Sequence, residues 1–229
     1  MLILHQDQAL LVVHKPSGLL VHRGLGADRD TVLARLAGRV DGSLFPVHRL
    51  DRGTSGVLVL ARSREAAARL SGSWSTGQCH KRYLALVRGQ PPPSAVVDHP
   101  IPADEAGSRV SASTSIETLA TTVVSGSQLR EARYSLVRAA TETGRFHQVR
   151  RHLKHLGHPV LGDANYGRRE HNELCAERFG LRRLALHAVS VVLPHPLAGE
   201  LVRFVAPIPA DLSEPLGAMG FVVEPAWQA

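Results

Sequence analysis

The segment His48-Arg49-Leu50-Asp51-Arg52-Gly53-Thr54-Ser55-Gly56 runs without a break into Val57-Leu58-Val59-Leu60-Ala61. Ser55 to Ala61 is apolar, rich in β-branched residues and too short for a helix, so it reads as a strand buried on both faces. Asp51 therefore stands at a strand entrance with arginines at 49 and 52, and neighbouring positive charge favours the ionised carboxylate. Taken alone, such a segment is also compatible with a surface turn in which Asp51 pairs with an arginine and the glycines permit the bend.

Outward from this strand, Ala9 to Val13 reads as another strand, closed by a turn at Lys15-Pro16-Ser17-Gly18 before Leu19 to His22. Asp30 reads as the cap of a helix over Thr31 to Arg39, and Glu65 to Leu70 as a second helix. Lys81 to Val87 is a strand, and Gln90-Pro91-Pro92-Pro93-Ser94 cannot lie inside a regular element. Strands and an irregular loop are expected from there to about Gln128, followed by a strand over Ala132 to Ala139 and a turn at Thr143-Gly144. The strongest helix pattern runs from Arg145 to Leu156, ended by Gly157 and Pro159. Strands at Leu184 to Leu193 and Leu201 to Val205 and a helix over Asp211 to Met219 follow. Strands and helices do not alternate regularly, so the pattern predicts one α+β domain over 1–229 rather than a doubly wound sheet.

The 229 residues are 44% hydrophobic, enough for a full core, and no run reaches the roughly 18 apolar residues of a spanning helix. Two cysteines, Cys79 and Cys175, make no C-x-x-C pair; a cytoplasmic protein with reduced thiols is expected. Lys plus Arg is 27 against 20 acidic residues, a formal charge of +7. All but Lys15, Lys81 and Lys154 are arginine, which a GC-rich genome alone could produce. Clustering at Arg49 with Arg52, Arg145 with Arg150 and Arg151, Arg168 with Arg169, and Arg182 with Arg183 points further, to a polyanionic partner.

In the helix from Arg145, Phe146, Val149, Leu153 and Leu156 form one stripe with Arg150 on its edge. A guanidinium at a core boundary calls for a carboxylate, and Asp51 is the natural candidate. His152, His155 and His158 have no accompanying cysteine or carboxylate and read as RNA contacts or surface residues rather than a zinc site. His-Arg-Leu-Asp lacks the rest of a kinase signature, Gly24-Leu25-Gly26 lacks the third glycine of a dinucleotide fingerprint, and no second acid pairs with Asp51 as a glycosidase requires. One carboxylate among arginines is left.

These residues resemble the RluA family of RNA pseudouridine synthases across essentially the whole chain. His48 to Gly56 is similar to the family's HRLDxxTSG block, and Lys81-Arg82-Tyr83 to the strand carrying its tyrosine. Thr143 to Arg150 (TGRFHQVR), continuing into Gly157-His158-Pro159 and Gly162-Asp163, resembles the third block. Leu184-Ala185-Leu186-His187-Ala188 and Lys15-Pro16-Ser17-Gly18 add two more matches, although His14 stands where the family often has asparagine. The resemblance implies a mixed, mainly antiparallel central sheet with flanking helices and loops, an RNA cleft across it, and neither cofactor nor metal. It implies Asp51 as the essential aspartate, Tyr83 packing on the target base, Arg150 holding Asp51, Arg49 entering the helix as the base leaves, and Leu186 lining the pocket. Lys15, Arg52, Arg145, His147 and Arg151 are expected on the RNA. The domain is expected to work without an S4 module, so recognition is expected to fall on the domain itself, acting as a monomer without membrane contact.

Moving a base from nitrogen to carbon on the same ribose consumes no water, so a single carboxylate suffices. Asp51 as nucleophile or as base on the ribose are both open. His171 to Leu184 and Val21-His22-Arg23 are most similar to the TruC branch, which implies a tRNA substrate modified on the T-stem side, at uridine 65. A 23S rRNA or dual rRNA and tRNA target is the alternative, and a non-catalytic RNA-binding module is another.

Overall fold

The computed structural model describes residues 1–23, 28–103, 108–127, 130–222 and 227. Gly24-Leu25-Gly26 lies outside them. In chain order the elements are β1 (Leu2–Gln6), β2 (Leu10–Lys15), α1 (Val32–Leu36), β3 (Phe45–Pro46), β4 (Ser55–Ala61), α2 (Arg64–Ser75), β5 (His80–Arg88), β6 (Ser94–Asp98), β7 (Ile101–Pro102), β8 (Arg109–Val110), β9 (Ser113–Ser127), β10 (Arg130–Thr141), α3 (Gln148–His155), α4 (Arg169–Phe179), β11 (Leu186–Pro194), β12 (Leu201–Val205) and α5 (Ala210–Ala218). The main sheet runs β1-β2-β4-β11-β5-β10-β9-β6, with β12 also on β11 and β3 on β4, and β7 and β8 form a separate ribbon. Only β4 with β11 is parallel among the described pairings, as the mixed, mainly antiparallel expectation requires.

β4 is buried at all seven positions. Its two-residue side-chain period sends Leu58 and Leu60 to a core shared with Val149 and Leu153 of α3 and Leu212 and Leu216 of α5. Val57, Val59 and Ala61 go to a second core with Ala66 and Leu70 of α2. Truncating either leucine to alanine costs about 2–5 kcal/mol, since neither face can relax into solvent. Gly56 sits where β4 meets β11; a β-carbon there would lie 2.1 Å from the Ala188 carbonyl oxygen. No other residue allows that approach, which sets the depth of the loop carrying Asp51.

Several boundaries differ from the expectation. Thr31, not Asp30, caps α1, its Oγ1 accepting from the Ala34 N–H at 3.1 Å, while Asp30 pairs with Arg35. α1 ends at Leu36, short of Arg39, and α2 extends beyond Leu70 to Ser75. Beyond the turn, Leu20 makes a single bridge to Thr31. α3 begins at Gln148 rather than Arg145, because His147 takes a left-handed conformation, φ 54°, that breaks the helical run. Leu184 and Ala185 precede β11. β1 and α4 are additional elements, and α4 buries only Cys175, which leaves almost no apolar period to read.

Candidate active site

The loop before β4 and the N-terminal end of α3 face each other across a cleft of about 700 Å³. Asp51 lies in its wall with its side chain 20% exposed, joined by Arg49, Tyr83, Arg145, His147, Arg150 and Leu186. The loop is pinned from behind. His48 Nε2 accepts from the Val59 N–H at 2.9 Å, and its ring stacks on Trp74 with centroids 4.8 Å apart. Burial, with Lys81's charge second, pushes the His48 pKa down to about 3, so it remains a neutral acceptor.

Lys15 is not an RNA contact. It is fully buried, and its Nζ donates to the carbonyls of Pro16, Leu19 and Arg52 at 2.9, 2.6 and 3.1 Å. Ser17 Oγ donates to the Gly53 carbonyl at 2.7 Å, so the Lys15 to Gly18 turn is a clamp on the Asp51 loop. Burial chiefly, then Arg183's charge, against the opposing pull of Asp51, lowers the Lys15 pKa to about 7.

Arg150 meets Asp51 as expected, Nη1 to Oδ2 at 3.0 Å. Its two-pronged partner, however, is Asp163: Nε to Oδ2 at 2.7 Å and Nη2 to Oδ1 at 2.8 Å. Asp163 is fully buried and also accepts from the backbone N–H groups of Asn165 and Tyr166. A second acid thus does belong to the constellation, holding the guanidinium rather than the substrate. Burial works against the charge on Arg150, but the hydrogen bonds and charge of Asp163, with Asp51 behind them, more than offset it. The ring of Tyr166 lies 5.0 Å from the guanidinium carbon.

Tyr83 is buried beside Asp51, and desolvation, then the carboxylate's charge, raises its pKa above that of a free phenol. It offers a ring face and a protonated hydroxyl rather than a base. Lys81 lies deep in the same wall and donates to the Thr143 carbonyl at 2.9 Å; burial lowers its pKa to about 8. His147 Nε2 lies 3.8 Å from Asp51 Oδ2, and Nδ1 is 3.1 Å from the Tyr166 hydroxyl. Lys81 and Asp163 were not read as site residues; Lys81 stood beside Tyr83 in a quoted strand, and Asp163 in the quoted Gly162-Asp163 pair.

The exposed cations of the cleft are Arg49 and Arg145, with Arg52 outside it against Asp28 at 3.2 Å. Arg151 is half-engaged, its Nε donating to Tyr166 Oη at 2.8 Å and its guanidinium over the Phe146 ring. Arg183, grouped above with Arg182 as pointing to a polyanionic partner, is buried against Ser55, Leu186 and Asp211. The three histidines part ways: His152 is buried between Thr114 and the His99 carbonyl, His155 stacks on His99, and His158 bonds the Arg88 carbonyl. His152 is therefore neither a surface residue nor an RNA contact.

The family model for RNA pseudouridylate synthases matches residues 9–155, which span the Asp51 loop, Tyr83 and Arg150. The chain belongs to this family. It is 40% identical over 213 residues to the tRNA pseudouridine synthase C of Salmonella typhimurium, covering 86% of this chain and 82% of the relative. Against the protein of that name from Haemophilus influenzae it is 34% identical over 233 residues, covering 96% and 98%. Among solved structures, Human RNA Pseudouridylate Synthase Domain Containing 4 superposes with a TM-score of 0.74 at 30% identity, covering 96% of this chain and 93% of that one. Human RNA Pseudouridylate Synthase Domain Containing 1 gives 0.74 at 27% identity. Among the described residues, this pseudouridylate synthase presents one carboxylate, Asp51, to its cleft and keeps a second, Asp163, behind the arginine.

Proposed function

We propose that this pseudouridine synthase acts on tRNA, isomerising a uridine on the T-stem side, uridine 65, with Asp51 acting on the ribose. The observation that carries the reading is the triad Asp51–Arg150–Asp163, which places one carboxylate in a cleft whose lining also carries Arg49, Lys81 and Arg145. The likeness to proteins named tRNA pseudouridine synthase C over at least four-fifths of both chains supports the choice of RNA.

A stacked uridine cannot reach Asp51, so it must leave its helix, at a cost of a few kcal/mol. Arg49, exposed at the rim, fills the vacated space while Arg52, Arg145 and Arg151 hold phosphates. The base packs on Tyr83 and against Leu186, which is buried in the same wall. Asp51, oriented by the Arg150 Nη1 donor, then attacks C1′ or takes the C2′ proton. The glycosidic C–N bond breaks, the uracil turns inside the cleft and rejoins through carbon. Nothing is released, and no second acid is needed to activate water. We read the working unit as a monomer. The mechanism assigns no step to a metal or cofactor, and we place the enzyme in the cytoplasm.

Mapping pseudouridine across total RNA from cells with and without the gene tests the reading. Loss confined to the T-stem side of tRNA is the expected result; loss confined to 23S rRNA would move the substrate, and an unchanged map would overturn the activity.

A further inference from the structure

Forming pseudouridine displaces a second proton. When C5 of the detached uracil bonds to C1′, that carbon carries both the sugar and its original hydrogen. The hydrogen must leave as a proton, its bonding pair re-forming the C5=C6 double bond while the C6=N1 pair returns to N1, which takes a proton from water. A base beside the uracil is required.

Apart from Asp51, which works on the sugar, the titratable side chains of the described cleft are three arginines, Lys81, Tyr83 and His147. Arginine does not give up its proton. Lys81 is a cation below about pH 8 and spends its donor on Thr143, and the Tyr83 phenol is held protonated by burial and by Asp51. His147 is left.

We propose that Nε2 of His147 accepts the C5 proton. At 3.8 Å from Asp51 Oδ2 it is too far to be consumed in a hydrogen bond, yet His147 lines the same cleft as the reacting carboxylate. The other nitrogen, Nδ1, lies 3.1 Å from Tyr166 Oη, which accepts from Arg151 Nε at 2.8 Å; in the proposed tautomer Nδ1–H donates to that oxygen and the Nε2 lone pair is free. Phe146 stacks on the imidazole with centroids 3.8 Å apart and fixes its plane. The backbone is in the left-handed region, φ 54°, which is uncommon for a residue bearing a β-carbon and clusters at functional sites. Asp51, Asp163, Arg150 and Arg151 all face the ring; desolvation dominates and lowers its pKa, so the neutral form that can accept a proton prevails at neutral pH.

The proposal rests on the pseudouridine synthase reading, and the test separates the two. His147→Gly suits the backbone, because glycine adopts φ 54° without strain, and opens room for added imidazole; His147→Asn, also tolerant of that region, is the second variant. Single-turnover rates are measured on tRNA carrying uridine or [5-²H]uridine. The expected result is a wild-type rate lowered about 10²-fold or more in both variants, a deuterium effect larger than in wild type, and partial recovery of His147→Gly with imidazole. Slow variants with an unchanged deuterium effect and no imidazole recovery would overturn the proposal in favour of a positioning role, as would variants as fast as wild type. Wild-type protein that forms no pseudouridine would overturn the parent reading as well.

Discussion

Replacing Arg150 by methionine separates two jobs that one guanidinium performs. Asp163 is fully buried and its charge is met by Nε and Nη2 of Arg150, at 2.7 and 2.8 Å. Removing one member of a buried pair strands the other, and such a loss is worth about 3–5 kcal/mol. At roughly 2–4 °C per kcal/mol for a chain of this size, the melting temperature falls by about 6–20 °C. Asp51, 20% exposed, contributes less to this loss and more to turnover. In the double variant Arg150→Met with Asp163→Asn, the amide keeps an acceptor for the Asn165 and Tyr166 N–H groups but removes the stranded charge. Stability should return in large part, while turnover stays low because Asp51 still lacks its donor. Urea unfolding and single-turnover rates on tRNA measure the two quantities separately. A single variant melting within about 2 °C of wild type would refute the stranded-carboxylate reasoning, and a double variant regaining both stability and turnover would refute a direct role of Arg150 at Asp51.

Three further outcomes are expected. His48 and His187 are both held near pKa 3 by burial, so between about pH 3 and 6.5 the unfolded chain binds two protons that the folded one does not. Stability is then full above the ordinary histidine range and falls with acid, by up to ~2.7 kcal/mol per pH unit; a flat unfolding free energy between pH 4 and 6 would contradict it. If Arg52, Arg145 and Arg151 each neutralise a phosphate, log affinity for tRNA falls against log salt with a slope of about −3, and a slope near zero would return the arginines to genome composition. Exhaustive chelation should leave turnover unchanged; loss with EDTA and recovery with zinc would contradict a metal-free reaction.

The Asp51 loop was legible because the strand behind it is apolar on both faces, a pattern with few alternative readings. Arg150 was legible from its place at the edge of a helical stripe, but that stripe overran the true start of α3: Phe146 has the right spacing, and nothing in a one-dimensional pattern shows that His147 turns left-handed. Instead of lying in the core, Phe146 stacks on His147. Asp163 sits in Gly162-Asp163-Ala164-Asn165-Tyr166, which has no apolar period, and it reaches Arg150 only through tertiary folding. Lys15 misled in the opposite direction. A lysine beside Pro-Ser-Gly has the spacing of a solvent turn, and only the three carbonyls gathered from Pro16, Leu19 and Arg52 make its burial possible. α4 escaped because a helix that buries one cysteine carries almost no amphipathic signal.

The central claim is that Asp51 acts on the ribose, the step without which the glycosidic bond is neither broken nor remade. Asp51→Asn keeps the side chain's shape and an acceptor for Arg150 Nη1 while removing the nucleophile or base. Measured on the same tRNA, its single-turnover rate of pseudouridine formation should fall below detection, with the dissociation constant and melting temperature close to wild type. A variant that binds equally well and still forms pseudouridine at a rate near wild type would contradict the account.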